Sequence, residues 1–392
     1  MDDKYVKEEY KLVTNPFNGS VAKKSDTRSW VDQDEAIKRW ESLIKDIRNN
    51  ADKNYLSIII GDYGQGKTLS LFKIGEMLNA EKDNSILVTI LNFKDEGNER
   101  SAGMDFLSRL IDGINLHSIR ERLTTSRSKD KLQKSKVKEA ISSIPIKFTD
   151  VKKLLTIIFF GNEQESYKAL RFIKGEIHLT KKELKEWGVL DNVYSITYAK
   201  EYLIGVLSFL KALGINSVCF LIDEFEQLFS LVQKSKRPIY LALLRSLIDL
   251  PVGYNLEEEK LAKVCFFITI SEGGYTELLK MEEADQYGSG PTKPLRRRID
   301  SLVRLEPLNI KDTEKLIEMR LYYDRSGNTN SETDLIPYAK DFVRYVFEKT
   351  AGKPSSIVYI CSQVLDAGSE NKVKLIDKQF AEEVVKARNI TF

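Results

Sequence analysis

A parallel α/β sheet followed by an all-helical C-terminal part is the fold class this sequence predicts, and three observations predict it. Short apolar runs alternate with longer helical patterns through the first three quarters of the chain, which is the order of a sheet whose strands are joined by crossover helices. A glycine-rich turn, Gly61–Gly66, joins the first such run to the first such helix. From Lys311 onward only helical periodicity remains.

Composition sets the limits. The 392 residues suit two or three domains. Apolar residues make up 42%, with 18 Phe and 17 Tyr, enough for a large core and against wholesale disorder. A formal charge of +3, from 61 Lys+Arg against 58 Asp+Glu, dictates no partner by itself. The longest apolar runs, Ser217–Ile222 and Val264–Ile270, are strand-sized, so no membrane span is expected. The first residues, MDDKYVKEEYKLV, lack the apolar segment of a signal peptide, and a cytoplasmic protein is expected. Cys219, Cys265 and Cys361 lie far apart, without zinc-site spacing. Two of them fall in strand-like runs, as small buried hydrophobes do. With His117 and His178 the only histidines, His-based metal chemistry has little to draw on.

The elements follow in order. Tyr55–Ile60 reads as the first buried strand, Thr68–Ala80 as a helix, Ser85–Phe93 as the second strand and Ser101–Gly113 as a helix with Phe106, Leu107, Leu110 and Ile111 on one face. The pattern then breaks for about a hundred residues, far more than a crossover needs. Within this stretch, residues 119–153 carry eleven basic and four acidic side chains. Thr180 and Glu183 form a capping box opening a helix toward Trp187. Tyr198–Leu213 is helical and stops at Gly214. Strands resume at Ser217–Ile222 and Val264–Ile270, with a helix over Ile239–Asp249 between them and a last short strand at Val303–Glu306. Helices are expected over Thr313–Tyr323, Tyr338–Thr350, Ser355–Asp366 and Asp377–Arg388. The predicted layout is an N-terminal arm and entry helix (1–50), an α/β core (51–310) with a helical basic insert at about 115–200, and a helical lid (311–392).

Gly61-Asp62-Tyr63-Gly64-Gln65-Gly66-Lys67-Thr68 satisfies G-x-x-x-x-G-K-[ST] at every fixed position, between a strand and a helix as the motif requires. The glycines let the backbone N–H groups of the loop, through Leu69, converge on a triphosphate at a helix N-terminus. Lys67 then neutralises the β- and γ-phosphates of ATP, and the Thr68 hydroxyl ligates Mg2+. The run Val218–Ile222 ends in Asp223 and Glu224. Strands of an open α/β sheet present ligands at their carboxyl ends. Asp223 fits a magnesium-associated acid and Glu224 a group that activates water against the γ-phosphate. Thr269, Ser271 and Glu272 end the next strand, where each can polarise that water or simply cap the strand end. Arg296-Arg297-Arg298 precedes the last strand. Arg298 is the choice for a guanidinium reaching a neighbouring subunit's γ-phosphate, against a solvated basic surface or a nucleic-acid contact.

This order of motifs resembles the AAA+ ATPases of the branch that holds origin-recognition initiators and transposition regulators. Asn15-Pro16-Phe17, followed by the Val31–Ala36 segment, resembles that branch's adenine-side entry, with Asp32-Gln33 where Gly-Arg is usual. Ala169–Glu176, Leu184–Val189, Gly214, Arg237 and Leu244–Asp249 resemble, more narrowly, the ATP-binding proteins of BREX-type phage-exclusion systems, over roughly residues 55–310. The resemblance implies a P-loop NTPase (AAA+) sheet with a C-terminal helical lid and ATP-driven action in a DNA-associated complex. It also implies a homo-oligomer and a partner such as a helicase or nuclease. AAA+ lids commonly place an arginine near a Gly-x-Pro step; here Gly352-Lys353-Pro354 offers Lys353, a point charge. The basic run, with Arg120, Arg122, Arg127, Lys129, Lys131, Lys134, Lys136 and Lys138, suits either non-specific DNA binding through residues 120–138 or a solvated loop. The expected function is ATP hydrolysis with Mg2+ to remodel or regulate a DNA-associated protein complex, in phage defence; a nucleotide-gated signalling switch or scaffold that binds ATP with little hydrolysis is the alternative.

Overall fold

In the computed structural model, the structure describes residues 1–19, 22–31, 33–49, 53–80, 85–92, 102–124, 130–193, 195–227, 237–250, 261–284, 293–325 and 334–390. After α1 (Asp3–Glu8) and α2 (Asp34–Asn49), the chain enters β1 (Tyr55–Ile60), α3 (Lys67–Asn79) and β2 (Ile86–Asn92). Next come α4 (Ala102–Ile114), α5 (Leu116–Thr124), α6 (Asp130–Ser143), α7 (Thr149–Phe160), α8 (Glu163–Ile173), α9 (Lys181–Trp187) and α10 (Ile196–Ala212). Then follow β3 (Ser217–Asp223), α11 (Arg237–Ile248), β4 (Lys263–Ile270), α12 (Glu272–Ala284), α13 (Lys293–Arg296) and β5 (Ser301–Arg304). Four helices close the chain: α14 (Ile310–Asp324), α15 (Lys340–Thr350), α16 (Pro354–Glu370) and α17 (Lys378–Ala387).

The five strands form one sheet in the order β2-β3-β4-β1-β5. β3 runs parallel to β2, with Asn92 opposite Asp223, and parallel to β4, with Cys219 opposite Cys265. Every residue of β1, β3 and β4 is buried, so these strands read as continuous apolar runs rather than alternating ones. This is the parallel α/β sheet that the alternation of apolar runs and helical patterns predicts. β5 starts two residues before its expected position, because the Asp300 N–H donates to the Leu56 carbonyl (2.8 Å) and its carboxylate accepts from the Leu56 N–H (2.9 Å). All three cysteines are free and buried, as expected for Cys219 and Cys265 in their strand runs.

Two compact units divide the chain. The larger comprises Trp40–Ile58 and Gly75–Leu302. Its insert is helical where described, with α6 and α7 carrying much of the basic run. Val137, Ala140 and Ile141 form the buried face of α6, and Val151, Leu154, Leu155 and Ile158 that of α7. α7 packs so closely on α10 that a Cβ at Gly205 would stand 2.8 Å from both Val151 methyls, which is why a glycine sits in mid-helix there. The capping box on α9 forms as read, with Thr180 Oγ1 accepting from Glu183 N–H and the Glu183 carboxylate accepting from Thr180 N–H. Buried Asn54 donates to the Leu247 and Ile248 carbonyls at 3.2 and 3.0 Å and accepts from Val264 N–H at 2.8 Å. One side chain thereby closes the end of α11 onto β4.

The smaller unit comprises Met1–Arg39, Ile59–Ile74 and Val303–Phe392. Its core joins Val6, Tyr10, Leu12, Phe17 and Val31 of the N-terminal arm to the apolar faces of α14–α17. Phe17 stands edge-on to Tyr338 at 5.9 Å, and Tyr338 stacks on Phe342 at 4.4 Å. Asn15 donates to Asp366 (2.9 Å) and to the Ser362 carbonyl (3.2 Å), while Arg320 donates to the Pro16 carbonyl (2.9 Å). Asn15 and Phe17, likened above to an adenine-side entry segment, are both buried with partners in this core. Among the described residues no helix is long and apolar enough to cross a membrane.

Candidate functional site

In the smaller unit the phosphate loop leaves β1 at Ile60 and ends in the first turn of α3. Gly64 and Gly66 have φ of +83° and +94°, values that L side chains rarely adopt. The Gln65 side chain accepts from Asp62 N–H and braces the loop from inside. Lys67 Nζ donates to the Gly61 carbonyl at 2.8 Å and reaches that of Asp62 at 3.4 Å, so its ammonium lies over the loop. Ser70 N–H closes on the Gly66 carbonyl at 2.8 Å, which starts α3 and directs its N-terminus, with Thr68 and Leu69, at the loop. A Cβ at Gly66 would meet nothing within 4 Å. The loop is therefore open above Gly66, and its amides and helix end fit a polyphosphate.

The lid supplies a wall to this loop. Lys353 is the N-cap residue of α16, with Pro354 at the first helical position. Its Nζ stands 5.8 Å from the centroid of the Tyr63 ring, itself 80% exposed. Ser355 N–H donates to the Gly64 carbonyl at 3.1 Å. Lys353 is thus beside the phosphate loop, as its Gly-x-Pro setting suggested. Ser355, which no motif announces, makes the closest contact.

In the larger unit β3 delivers Asp223 and Glu224. Thr269, fully buried at the end of β4, donates to Asp223 Oδ1 at 2.6 Å. Its Oγ1 also accepts from Glu224 N–H at 3.0 Å, and its carbonyl accepts from Phe225 N–H at 3.0 Å. Glu224 N–H shares itself with Asp223 Oδ1 at 3.1 Å. Glu224 takes a φ of +52°. A non-glycine residue held in this region marks a turn that its neighbours over-determine. Its exposed carboxylate accepts from the Gln227 side-chain amide. Thr269, Asp223 and Glu224 therefore form one unit. Ser271 does something else: its Oγ accepts from Gly274 N–H at 3.0 Å and caps α12, of which Glu272 is the first residue.

Arg298 lies against Asp249 at the end of α11, as a bidentate pair with Nη2 2.7 Å from Oδ2. Arg245 stands 3.6 Å from the same carboxylate. Arg296 and Arg297 are exposed. In the basic run, Arg122, Lys134, Lys136 and Lys138 are exposed, whereas Arg127, Lys129 and the side chain of Lys131 lie outside the described residues, as does Asp32. No group of three or more His, Cys, Asp or Glu among the described residues is placed to hold a metal ion. Mg2+ at a nucleotide needs only one or two protein ligands beside phosphate oxygens; the hydroxyl of Thr68, in the smaller unit, and the carboxylate of Asp223, in the larger, are each an oxygen donor of that kind. Gln227, Ser355 and Asp249 escaped the sequence reading, because each acts through a neighbour that only the folded chain brings to it.

The family described as BREX system ATP-binding protein BrxC/D matches residues 87–302, a span that holds Asp223, Glu224, Thr269 and Arg298. No curated protein matches the chain in sequence. Among solved structures, the chain is similar to Drosophila ORC bound to DNA, at 11% identity over 96% of this chain and 65% of that one, TM-score 0.45. It is similar to the ORC2 protein of Aeropyrum pernix, at 12% identity over 90% of this chain and 66% of that one, TM-score 0.47. A third likeness is to Cdc6p from Pyrobaculum aerophilum, at 12% identity over 95% and 72%, TM-score 0.49. The chain spans just under two thirds of the length of the first two.

Proposed function

We propose that this chain, which belongs to the BREX system ATP-binding protein BrxC/D family, hydrolyses ATP with Mg2+ to remodel or regulate a DNA-associated protein complex in phage defence. The observation that carries the reading is a complete phosphate loop at the head of α3 together with a β3 carboxylate held by a buried threonine. In this reading the amides from Asp62 to Leu69 take the phosphates, Lys67 neutralises them, and Lys353 adds a point charge from the lid. Mg2+ would supply neutralisation of the charge that develops on the phosphates; Thr68 and Asp223 are the residues that would hold it. Glu224 orients the attacking water and takes its proton. Thr269 holds the Asp223 carboxylate directly and Glu224 through its backbone N–H. Arg298 is assigned to a neighbouring copy's γ-phosphate, with its Asp249 pair as the resting position. The partner in this reading is a DNA-associated protein such as a helicase or nuclease.

The test is steady-state ATPase activity beside nucleotide affinity. Lys67→Ala is expected to abolish tight ATP binding. Glu224→Gln should keep ATP bound and lower turnover about a hundredfold, the range for loss of a positioned base. Unchanged affinity in the first variant, or unchanged turnover in the second, refutes these roles. A second reading, the nucleotide-gated switch, draws on one observation: the Glu224 carboxylate is engaged by Gln227 of its own turn. Tight ATP binding with negligible turnover in the unmodified chain would establish the switch instead.

A further inference from the structure

α6 and α7 lie antiparallel, and the groove between them carries cations and an exposed ring in one line. Lys152 Nζ donates to the Ser142 carbonyl at 2.8 Å, joining the start of α7 to the end of α6. At the other end, Lys138 Nζ stands 5.6 Å from the centroid of Phe160, whose side is 36% exposed. Lys152, Thr156 and Phe160 repeat every fourth residue on α7, so they share one stripe about 12 Å long at 1.5 Å per residue. Lys134 and Lys138 share the facing stripe of α6, both exposed. From α5, Arg120 reaches the same end, its Nη2 3.3 Å from the carbonyl of Gly161 beside Phe160. Of the nearby acids, Glu121 pairs with His117, Glu165 completes the Asn162 cap of α8, Glu139 lies off the Lys134–Lys138 stripe by its place on the helix, and Glu163 is exposed at the start of α8.

An exposed phenylalanine among lysines is poorly explained as a solvated face, which has no use for the ring. It also fits duplex binding badly, because a duplex offers its phosphates but keeps its base faces stacked. Cations flanking an exposed aromatic are the parts of a single-strand site, where backbone phosphates meet the charges and an unstacked base lies on the ring. We propose that the α6–α7 groove binds single-stranded nucleic acid, with Phe160 as the stacking platform and Arg120, Lys134, Lys138 and Lys152 against the phosphates. The inference rests on the DNA-associated reading only for preferring nucleic acid over an acidic protein surface, and on no part of the ATPase assignment.

The experiment measures fluorescence anisotropy of a labelled thymidine oligonucleotide with the full chain over a series of salt concentrations, beside a duplex of equal length. The single strand is expected to bind more tightly than the duplex, with affinity falling as salt rises. Phe160→Ala should weaken single-strand binding about tenfold while leaving duplex binding and ATP turnover as they were. Phe160→Trp should restore it. Lys134→Ala with Lys138→Ala should flatten the salt dependence by one to two phosphate contacts. Equal affinity in Phe160→Ala, a duplex bound as tightly as the single strand, or no binding at low salt would each overturn the proposal. ATP turnover that persists in those cases leaves the ATPase reading standing, so the two fail separately.

Discussion

A single hydroxyl, that of Thr269, serves two bonds: it donates to Asp223 Oδ1 and accepts from Glu224 N–H. The arrangement is buried, so neither bond is exchanged for water at no cost. It also explains how Glu224 keeps a φ of +52°, a geometry that costs roughly 1–3 kcal/mol for a side-chain-bearing residue. Thr269→Val keeps the shape and removes the hydroxyl. We expect it to lower stability by about 1–3 kcal/mol and to reduce ATP turnover more than ATP affinity. Thr269→Ser should recover both, which chemical denaturation and steady-state kinetics would register. Valine and serine variants that behave alike would mean that the hydroxyl does not position the acids. The identity of Asp223 and Glu224 was legible in the sequence, as acids ending an apolar run. Their shared tie to Thr269 was not, because it depends on β3 and β4 lying side by side.

At the scale of elements, the start of α16 closes on the phosphate loop within the smaller unit. A Cβ at Gly64 would fall 1.9 Å from Ser355 Oγ and 2.8 Å from its Cβ, at a φ of +83°. Gly64→Ala is therefore penalised twice, by backbone strain and by collision with the lid helix. Gly66→Ala carries a similar strain, at φ +94°, with open space around the added carbon. Both should lose about 1–3 kcal/mol to the backbone. Only Gly64→Ala should also displace α16 and weaken nucleotide binding further, as thermal unfolding with and without ATP would reveal. Equal losses would show that the Ser355 contact contributes nothing. The local signals here were readable: glycines at the right spacing, Pro354 opening a helix, Thr180 and Glu183 opening another. Ser355 carried no signal, since a serine after a proline looks like any helix start.

For the molecule as a whole, the proposal places Arg298 at a boundary between copies, which makes activity a property of the assembly. Specific ATPase activity should then rise with protein concentration. Arg298→Ala should lose turnover while retaining nucleotide, because it acts on transition-state charge. Mixing Arg298→Ala with Lys67→Ala should restore part of the activity, as one contributes an intact loop and the other an intact arginine. Asp249→Asn separates this role from a structural one: it breaks the same ion pair but leaves the guanidinium in place, so turnover should persist. No recovery on mixing, with Asp249→Asn as damaging as Arg298→Ala, would reduce Arg298 to a clamp between α11 and the approach to β5. The sequence by itself determined the α/β class, the glycine-rich loop after β1, the acids at the end of β3 and the helical C-terminal part, because apolar period, turn chemistry and motif spacing act over a few residues. Only the tertiary structure decided that the arm at Tyr10, Asn15 and Phe17 completes the lid core, that Arg298 rests on Asp249, and that Phe160 meets Lys138. Those contacts join residues that are distant in sequence, and no local pattern encodes which buried amide, ring or charge will find which partner once the chain has folded.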